Sequence, residues 1–367
     1  MREAIIRHVY LHVPFCTHLC PYCAFVKTKN TLPEMRRFLV ALRTEIEAAC
    51  ARFQIEPETV FWGGGTPTAL SLGHLEEIFS WWPWAGEGIE FTVEANPATV
   101  SVKKAETLVQ AGVNRLSLGV QSFEPTMLRL LGRTHDREQV EATVAAARLA
   151  GIRNMNLDFM FALPGQSETL WQQTLEEAVQ FRPQHLSCYN LNYEEDTEFL
   201  RRLERGEFSL DPERERGFFL LMQDILEAAG YVRDEVSNYA QPGFSCRHNW
   251  AYWNGADYLG FGPGAWSTVG EERWQNLPEV GAWADQVERM GMGQGAVETL
   301  TSKTRARERV MLGLRTRNGV QVPAGKEAEV EALLTDGLAR IFEDRIVLTS
   351  KGLLVADSIA ELLDDHD

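Results

Sequence analysis

The sequence predicts an α/β protein: a parallel sheet of six strand–helix units, then an α+β extension and a small winged-helix-like module. Three observations carry this reading. β-type runs alternate with segments of helical period up to about residue 195, the pattern of right-handed βαβ crossovers. Nearly every run ends in a polar residue or a glycine, as a site at the carboxyl ends of parallel strands requires. Beyond about residue 195 the alternation stops and shorter, mixed segments follow.

The β-type runs are VYLHVPF (9–15), TVFWGG (59–64), IEFTVEAN (89–96), RLSLGVQS (115–122), NMNLDFMF (154–161) and HLSCYNLN (185–192). Between them lie helical segments such as EMRRFLVALRTEIEAACARF and REQVEATVAAARLAG, the second stopping at Gly151. From the residues alone the sheet closes either as a doubly wound sheet or as a full or partial barrel. An acidic stretch leads into a helix around FFLLMQDILEAAG. Two β-type runs follow, YVRDEVSNYA and DYLGFGPGAWST, with an aromatic-rich turn between them. The tail reads helix, helix, short strand pair, helix: TRARERVMLGLRTR, EAEVEALLTDGLARIF, DRIVLTSKG and LLVADSIAELL. The expected divisions are a core over 1–195, an extension over 196–300 and a tail module over 301–367.

A chain of 367 residues is long for one domain. Its 44% hydrophobic and 24% charged residues are ordinary for a globular protein and exclude disorder. Asp plus Glu number 52 against 36 Lys plus Arg, a formal charge of −16. That balance disfavours nucleic acid, so the winged-helix-like tail reads as a lid or docking element. It also disfavours anionic lipid surfaces. No apolar run approaches the roughly 18 residues of a membrane helix, and the amino-terminal segment does not read as a secretory leader. A cytoplasmic location is expected, with visits to the membrane surface left open.

Of six cysteines, three lie together as Cys16-Thr-His-Leu-Cys20-Pro-Tyr-Cys23, while Cys50, Cys188 and Cys246 are scattered. Clustered thiols in a reducing compartment suggest a metal; scattered ones are usually small buried hydrophobes. Three local thiolates on an iron–sulfur cubane leave one iron free for another ligand. The alternative is a structural zinc with a distant fourth ligand, Cys188, Cys246 or a histidine. The second run ends in Gly63-Gly64-Gly65-Thr66-Pro67, where glycines let the backbone approach a ligand closely. Glu94 ends the third run and suits an amino group or ribose hydroxyl; the plainer reading is a strand-end ion pair. Gln121 ends the fourth. Arg133 follows with a planar fork suited to a carboxylate, and His135 reads as a helix-start residue. Asp158 interrupts the apolar fifth run and needs either a ligand or an internal partner.

CxxxCxxC after a first strand resembles the radical S-adenosylmethionine (SAM) superfamily, and GGGTP resembles its glycine motif. The words HVPFCxxxCPYC, GGGTPT, EANP, GVQSF, LGRTH and NLDFMFALPGQ together resemble the coproporphyrinogen III dehydrogenase family, HemN, and its shorter relative HemW. The resemblance implies a partial (β/α)6 barrel and a [4Fe–4S] cluster on Cys16, Cys20 and Cys23. It implies SAM contacts at Tyr10, Tyr22, Gly64, Gly65, Thr66, Glu94, Gln121, Arg133 and Asp158. In the oxidase some of these, including Gln121, Arg133 and Asp158, correspond to a second SAM site, so one or two SAM molecules are expected. Such a cluster cleaves the sulfonium by one electron, giving methionine and a 5′-deoxyadenosyl radical.

Two features favour the HemW branch. The oxidase has a fourth cysteine two residues after the third, where this chain has Phe25. The oxidase also carries an extension before its first strand, which is short here. A third feature is His248-Asn249-Trp250-Ala251-Tyr252-Trp253, which looks like the HNxxYW motif of HemW proteins, thought to bind haem and pass it to acceptors. The resemblance therefore implies a haem chaperone, with haem candidates His248, Asn249, Tyr252 and Trp253, and an acceptor protein that is respiratory and membrane-bound or otherwise. Left open are a haem thiolate from Cys188 or Cys246 and a homodimer. The plainer reading of the motif is an aromatic core turn. HemW proteins usually have Asp after the third cysteine; here it is Ala24.

Overall fold

The protein, seen in a computed structural model, is described over residues 5–29 and 31–364. The first four residues of the segment read above as no secretory leader lie outside the described residues. Six strands form the centre: β1 Ile6–Val13, β2 Ile55–Gly64, β3 Glu90–Ala95, β4 Arg115–Gln121, β5 Asn154–Phe161 and β6 His185–Asn190. They pair in parallel in the order β1-β2-β3-β4-β5-β6. A doubly wound sheet reverses its strand order at a switch point. Sequential order winds every crossover the same way, so the helices cover one face and the other becomes the concave interior of an open barrel.

The two faces follow from the period-2 alternation of strand side chains. Val9, Leu11, Val13, Val60, Trp62, Phe91, Val93, Leu116, Leu118, Leu157 and Leu186 belong to the core. Intervening positions are polar: Tyr10, His12, Thr59, Thr92, Glu94, Arg115, Ser117, Asn156, Asp158 and Ser187. Helices Leu32–Arg52, Leu72–Trp81, Val102–Gln110, Arg137–Ala150 and Glu168–Gln180 connect successive strands. Arg137–Ala150 opens with a capping box, Asp136 to Gln139, and stops at Gly151 with φ 106°.

The segments beyond residue 195 return to both edges of this sheet, making it nine-stranded. Leu259–Phe261 pairs in parallel with β1. Asn238–Ala240 pairs antiparallel with β6, and Val232–Arg233 with Asn238–Ala240. A separate antiparallel sheet joins Trp266–Val269, Glu272–Asn276 and Gln294–Thr299. The stretch expected as an aromatic turn is instead a helix, Arg247–Trp253. In the tail, Ala339–Phe342 is a strand rather than the end of a helix. The helix Glu327–Thr335 ends at the left-handed Gly337 (φ 68°), and the strand pairs with Arg345–Leu348. With Val320–Gln321 these make a three-stranded sheet, giving the winged-helix-like shape. Among the described residues no helix is long and apolar enough to cross a membrane.

One buried carboxylate fastens the extension to the barrel. Glu45, on helix Leu32–Arg52, is fully buried and accepts four bonds: from the Gly262 and Gly293 amides (both 2.8 Å), Asn276 Nδ2 (2.9 Å) and Trp283 Nε1 (3.1 Å). Gly293 is obligatory there, because a Cβ would lie 2.0 Å from the Trp283 ring. Glu45→Ala orphans the Gly262, Gly293 and Trp283 donors, while Asn276 Nδ2 keeps its bond to Gly262 O (2.9 Å), and is expected to cost about 3 kcal/mol or more. Thermal unfolding of the variant, followed by circular dichroism, measures that loss.

Candidate functional site

The cysteine loop leaves β1 and is tied down at both ends. Phe15–Cys16 pairs in parallel with Thr28–Lys29, and Thr28 N donates to Pro14 O at 2.8 Å. The glycine turn after β2 closes over the same segment, with Gly65 N bonded to Val13 O (2.8 Å) and Thr66 N to Phe15 O (2.9 Å). A Cβ on Gly65 would lie 2.7 Å from the Pro14 backbone, and one on Gly64, where φ is 104°, 2.6 Å from the His12 ring. Glycine is needed at 65 because the backbones touch, and at 64 because the His12 ring and the left-handed backbone leave no room for a side chain.

Inside the loop a chain of hydrogen bonds runs from the turn after β4 to the first thiol. Arg133 Nε and NH2 donate to the Tyr22 hydroxyl at 3.2 and 2.8 Å. Arg133 NH1 donates to Asn96 Oδ1 at 2.6 Å, and Asn96 Nδ2 to the Thr66 hydroxyl at 2.9 Å. Thr66 Oγ1 lies 3.9 Å from Cys16 Sγ. Gly132 has φ 66° and lets this turn lie against the loop, since a Cβ would fall 2.8 Å from Pro21 Cδ. Asn96 was missed in the sequence, although it stands in the EANP word beside Glu94.

These residues surround a cavity of about 600 Å³ lined by Cys16, Cys20, Cys23, Tyr22, Gly64, Gly65, Thr66, Glu94, Gln121, Arg133 and Asp158. That volume suits a cofactor with its ligand. Of the expected SAM contacts only Tyr10 lies elsewhere: it bonds to His12 Nδ1 at 3.2 Å and lines a neighbouring cavity. On the floor, Glu94 Oε2 accepts from Gly64 N at 3.2 Å. Asp158 accepts from Ser117 Oγ (3.0 Å) and Asn156 Nδ2 (2.8 Å), partners the sequence reading did not name. Gln121 is a non-glycine residue at φ 68°, the kind of strain that persists when its surroundings fix it. His135 bonds to Val120 O at 3.0 Å, and burial lowers its pKa to about 4, so it serves neutral as a brace.

Burial raises the Cys16 and Cys23 thiols above their ordinary pKa, opposed at Cys16 by the Thr66 hydroxyl and at Cys23 by Lys27. A bound metal overrides that by deprotonating its thiolate ligands. Among the described residues no three His, Cys, Asp or Glu side chains converge where one metal ion would sit. Three thiols spread around one cavity fit a cluster that takes each at a separate corner.

The aromatic motif does not present one face. The helix Arg247–Trp253 starts on Glu90, whose carboxylate accepts from the Arg247 and His248 amides, each at 3.1 Å. His248 is 1% exposed, stacks on Phe61, and bonds to Thr59 Oγ1 (2.7 Å) and the Tyr252 hydroxyl (2.9 Å). Burial, with His8 and Arg115, lowers its pKa to about 3, so it is neutral. Both ring nitrogens are engaged within the barrel. Trp250 lies beneath the Arg317 guanidinium. Trp253 lines a small cavity against the tail module, while Tyr252 faces the cavity shared with Tyr10. Asn249 is half-buried in the same helix. Cys188 and Cys246 are buried, which raises both thiols, Cys246 to about 12, and keeps them unreactive.

A sequential parallel barrel with three thiols and a glycine turn at its carboxyl end is the architecture of a radical SAM protein, and residues 10–178 match the Radical SAM superfamily model. Over its whole length the chain is similar to the heme chaperone HemW of Bacillus subtilis strain 168, at 33% identity over 96% of this chain and 98% of the relative. The heme chaperone HemW of Escherichia coli K12 is 37% identical over 71% of this chain and 70% of its own length. A mitochondrial radical S-adenosyl methionine domain-containing protein 1 from Danio rerio is 31% identical over 97% and 86%. The solved coproporphyrinogen III oxidase HemN of Escherichia coli has the same fold, with a TM-score of 0.85, 24% identity and coverage of 100% and 91%. The chain belongs to the HemW family of radical SAM proteins, whose membership implies a [4Fe–4S] cluster and SAM.

Burial, reinforced by Asp158 and opposed by the Gly64 amide and Arg115, pushes the Glu94 carboxyl up to about 8. The folded protein therefore keeps a proton that the unfolded chain releases near the ordinary carboxyl value. The stability that this group contributes falls as pH rises from about 4.5 toward 8. A ligand that bonds to the carboxylate must displace this proton. SAM affinity measured by calorimetry is expected to rise about tenfold per pH unit below pH 8 and then level off, while Glu94→Gln flattens the profile. His248→Ala leaves the Tyr252 hydroxyl unpaired, while Thr59 Oγ1 keeps its bond to His8 Nδ1 (3.0 Å), and removes the ring stacked on Phe61; it is expected to cost about 2–3 kcal/mol in chemical denaturation.

Proposed function

We propose that this protein is a haem chaperone that binds haem and hands it to an acceptor protein, with a radical SAM centre beside the haem. In that centre Cys16, Cys20 and Cys23 hold a [4Fe–4S] cluster. Gly64, Gly65, Thr66, Glu94, Gln121, Arg133 and Asp158 receive SAM. When bound, cluster and SAM supply one-electron cleavage of the sulfonium. This chain's own residues do the positioning. Arg133 clamps Tyr22 and Asn96, and the glycine turn holds the loop closed against water. Glu94 and Asp158 offer carboxylates to the amino and hydroxyl groups of the ligand.

The observation that carries the chaperone reading is Phe25. It occupies the position of the oxidase's additional cysteine, is 68% exposed, and lines the cluster cavity beside Cys23. A phenylalanine there cannot donate the thiol. The curated relatives named as heme chaperones support the same reading over the full chain.

Two assays on anaerobically reconstituted protein test the proposal. Haemin titration is expected to give saturable binding with a shifted Soret band. Incubation with coproporphyrinogen III, SAM and reductant is expected to give no protoporphyrinogen above the uncatalysed level. Catalytic turnover in the second assay makes the protein an oxidase. Cys20→Ser is expected to lose the brown cluster absorbance, whereas a colourless wild type with one zinc per chain contradicts the cluster.

A further inference from the structure

Below the cysteine loop lies a second cavity of about 590 Å³ that no part of the cluster site requires. It shares one wall with the first, because Ala24 and Phe25 line both. The segment after Cys23 is fixed there: Val26 packs on Gly264, where a Cβ would lie 2.6 Å away, and His12 Nε2 bonds to Val26 O at 2.7 Å. Glycine at 264, with φ 75°, lets the turn before Trp266 come that close. Phe25 and Trp266 consequently face one cavity while 68% and 46% exposed. Large aromatic faces left in water beside a concave surface mark a ligand site. Tyr10 and Tyr252 line the inner side.

The rim is basic. Arg273 pairs with Glu308 through two bonds of 2.6 and 2.8 Å, and Arg305 pairs with Asp257 at 2.8 Å. Both arginines and Glu308 line the cavity. Each pair joins the extension to the tail helix Ser302–Gly313, so the tail closes one side of the opening. A guanidinium fork can donate to a second carboxylate or exchange one for another.

From this we infer that the second cavity is the tetrapyrrole seat, with the macrocycle against Phe25 and Trp266 and its propionates toward Arg273 and Arg305. The inference rests on the haem-chaperone reading and specifies where that ligand lies. It assigns His248 a positioning role: the imidazole fixes Tyr252 at the cavity wall and does not meet the iron.

Haemin and iron-free protoporphyrin IX are titrated separately into the reconstituted full-length protein and its variants. Phe25→Ala and Trp266→Ala are each expected to weaken both ligands about tenfold, and Trp266→Phe to recover most of the loss. Phe342→Ala, at a 61% exposed position on the tail, is expected to bind as wild type. Unchanged SAM affinity in Trp266→Ala shows that this variant is folded. Wild-type binding that persists undiminished in Phe25→Ala and Trp266→Ala overturns the seat and leaves the chaperone reading standing. A loss confined to haemin, with iron-free porphyrin unaffected, also overturns it, because the ligand is then held through its iron. Failure of the wild type to bind either ligand overturns the seat and the chaperone reading together.

Discussion

Clamping of the half-buried Arg133 guanidinium between a phenol and an amide is the constraint on which the mouth of the barrel depends. A guanidinium taken from water needs its donors satisfied. Tyr22 and Asn96 satisfy them from opposite sides, one on the cysteine loop and one at the end of β3. The loop cannot shift without breaking that bridge, and Asn96 carries the connection onward through Thr66 to Cys16. Three thiols on a free loop would sample many arrangements. Here the loop is also stitched at its base by the Phe15–Cys16 ladder, so the entropy of ordering it is met on folding rather than on ligation.

The same economy governs the rest of the barrel. Sequential strand order places helices and apolar side chains on one face, which leaves the concave face to carry polar groups that must satisfy one another. Ser187 and His185 meet on Asn156, at 3.1 and 2.7 Å, and Ser187 also reaches Asn238 at 2.7 Å. At the other end the helix Arg247–Trp253 fills the interior with His248 and Tyr252, anchored on Glu90. Glu45 does the equivalent on the outer side, joining helix Leu32–Arg52 to the extension. The extension therefore builds a wall of the second cavity as well as a cover for the barrel, and Phe25 is where the two cavities meet.

Much of this was legible from residues. The six β-type runs overlap β1 to β6, though β1 and β2 begin three and four residues earlier than read, because each is long enough to show its alternation, and Gly151 ends its helix as a left-handed cap. The edge strands were not separated out, since runs as short as Val232–Arg233 and Leu259–Phe261 have no period to detect. The aromatic motif reads as a turn because its helix has seven residues and takes its cap from Glu90, far away in sequence. Ala339–Phe342 continues the apolar spacing of the helix before it, and only Gly337 marks the break. At the site, cysteine spacing and strand-end residues indicated which side chains gather. Asn96 and the displacement of Tyr10 into the neighbouring cavity depend on side-chain direction, which spacing does not encode.

With SAM in the first cavity and a tetrapyrrole in the second, the two ligands are bound at once. Electron paramagnetic resonance of the reduced cluster tests this directly, by adding SAM and then haemin to one sample. SAM is expected to change the cluster signal, and haemin, once bound, to leave the SAM-altered signal in place. Return of the SAM-free signal as haemin binds would mean that the two compete for one cavity and would contradict it.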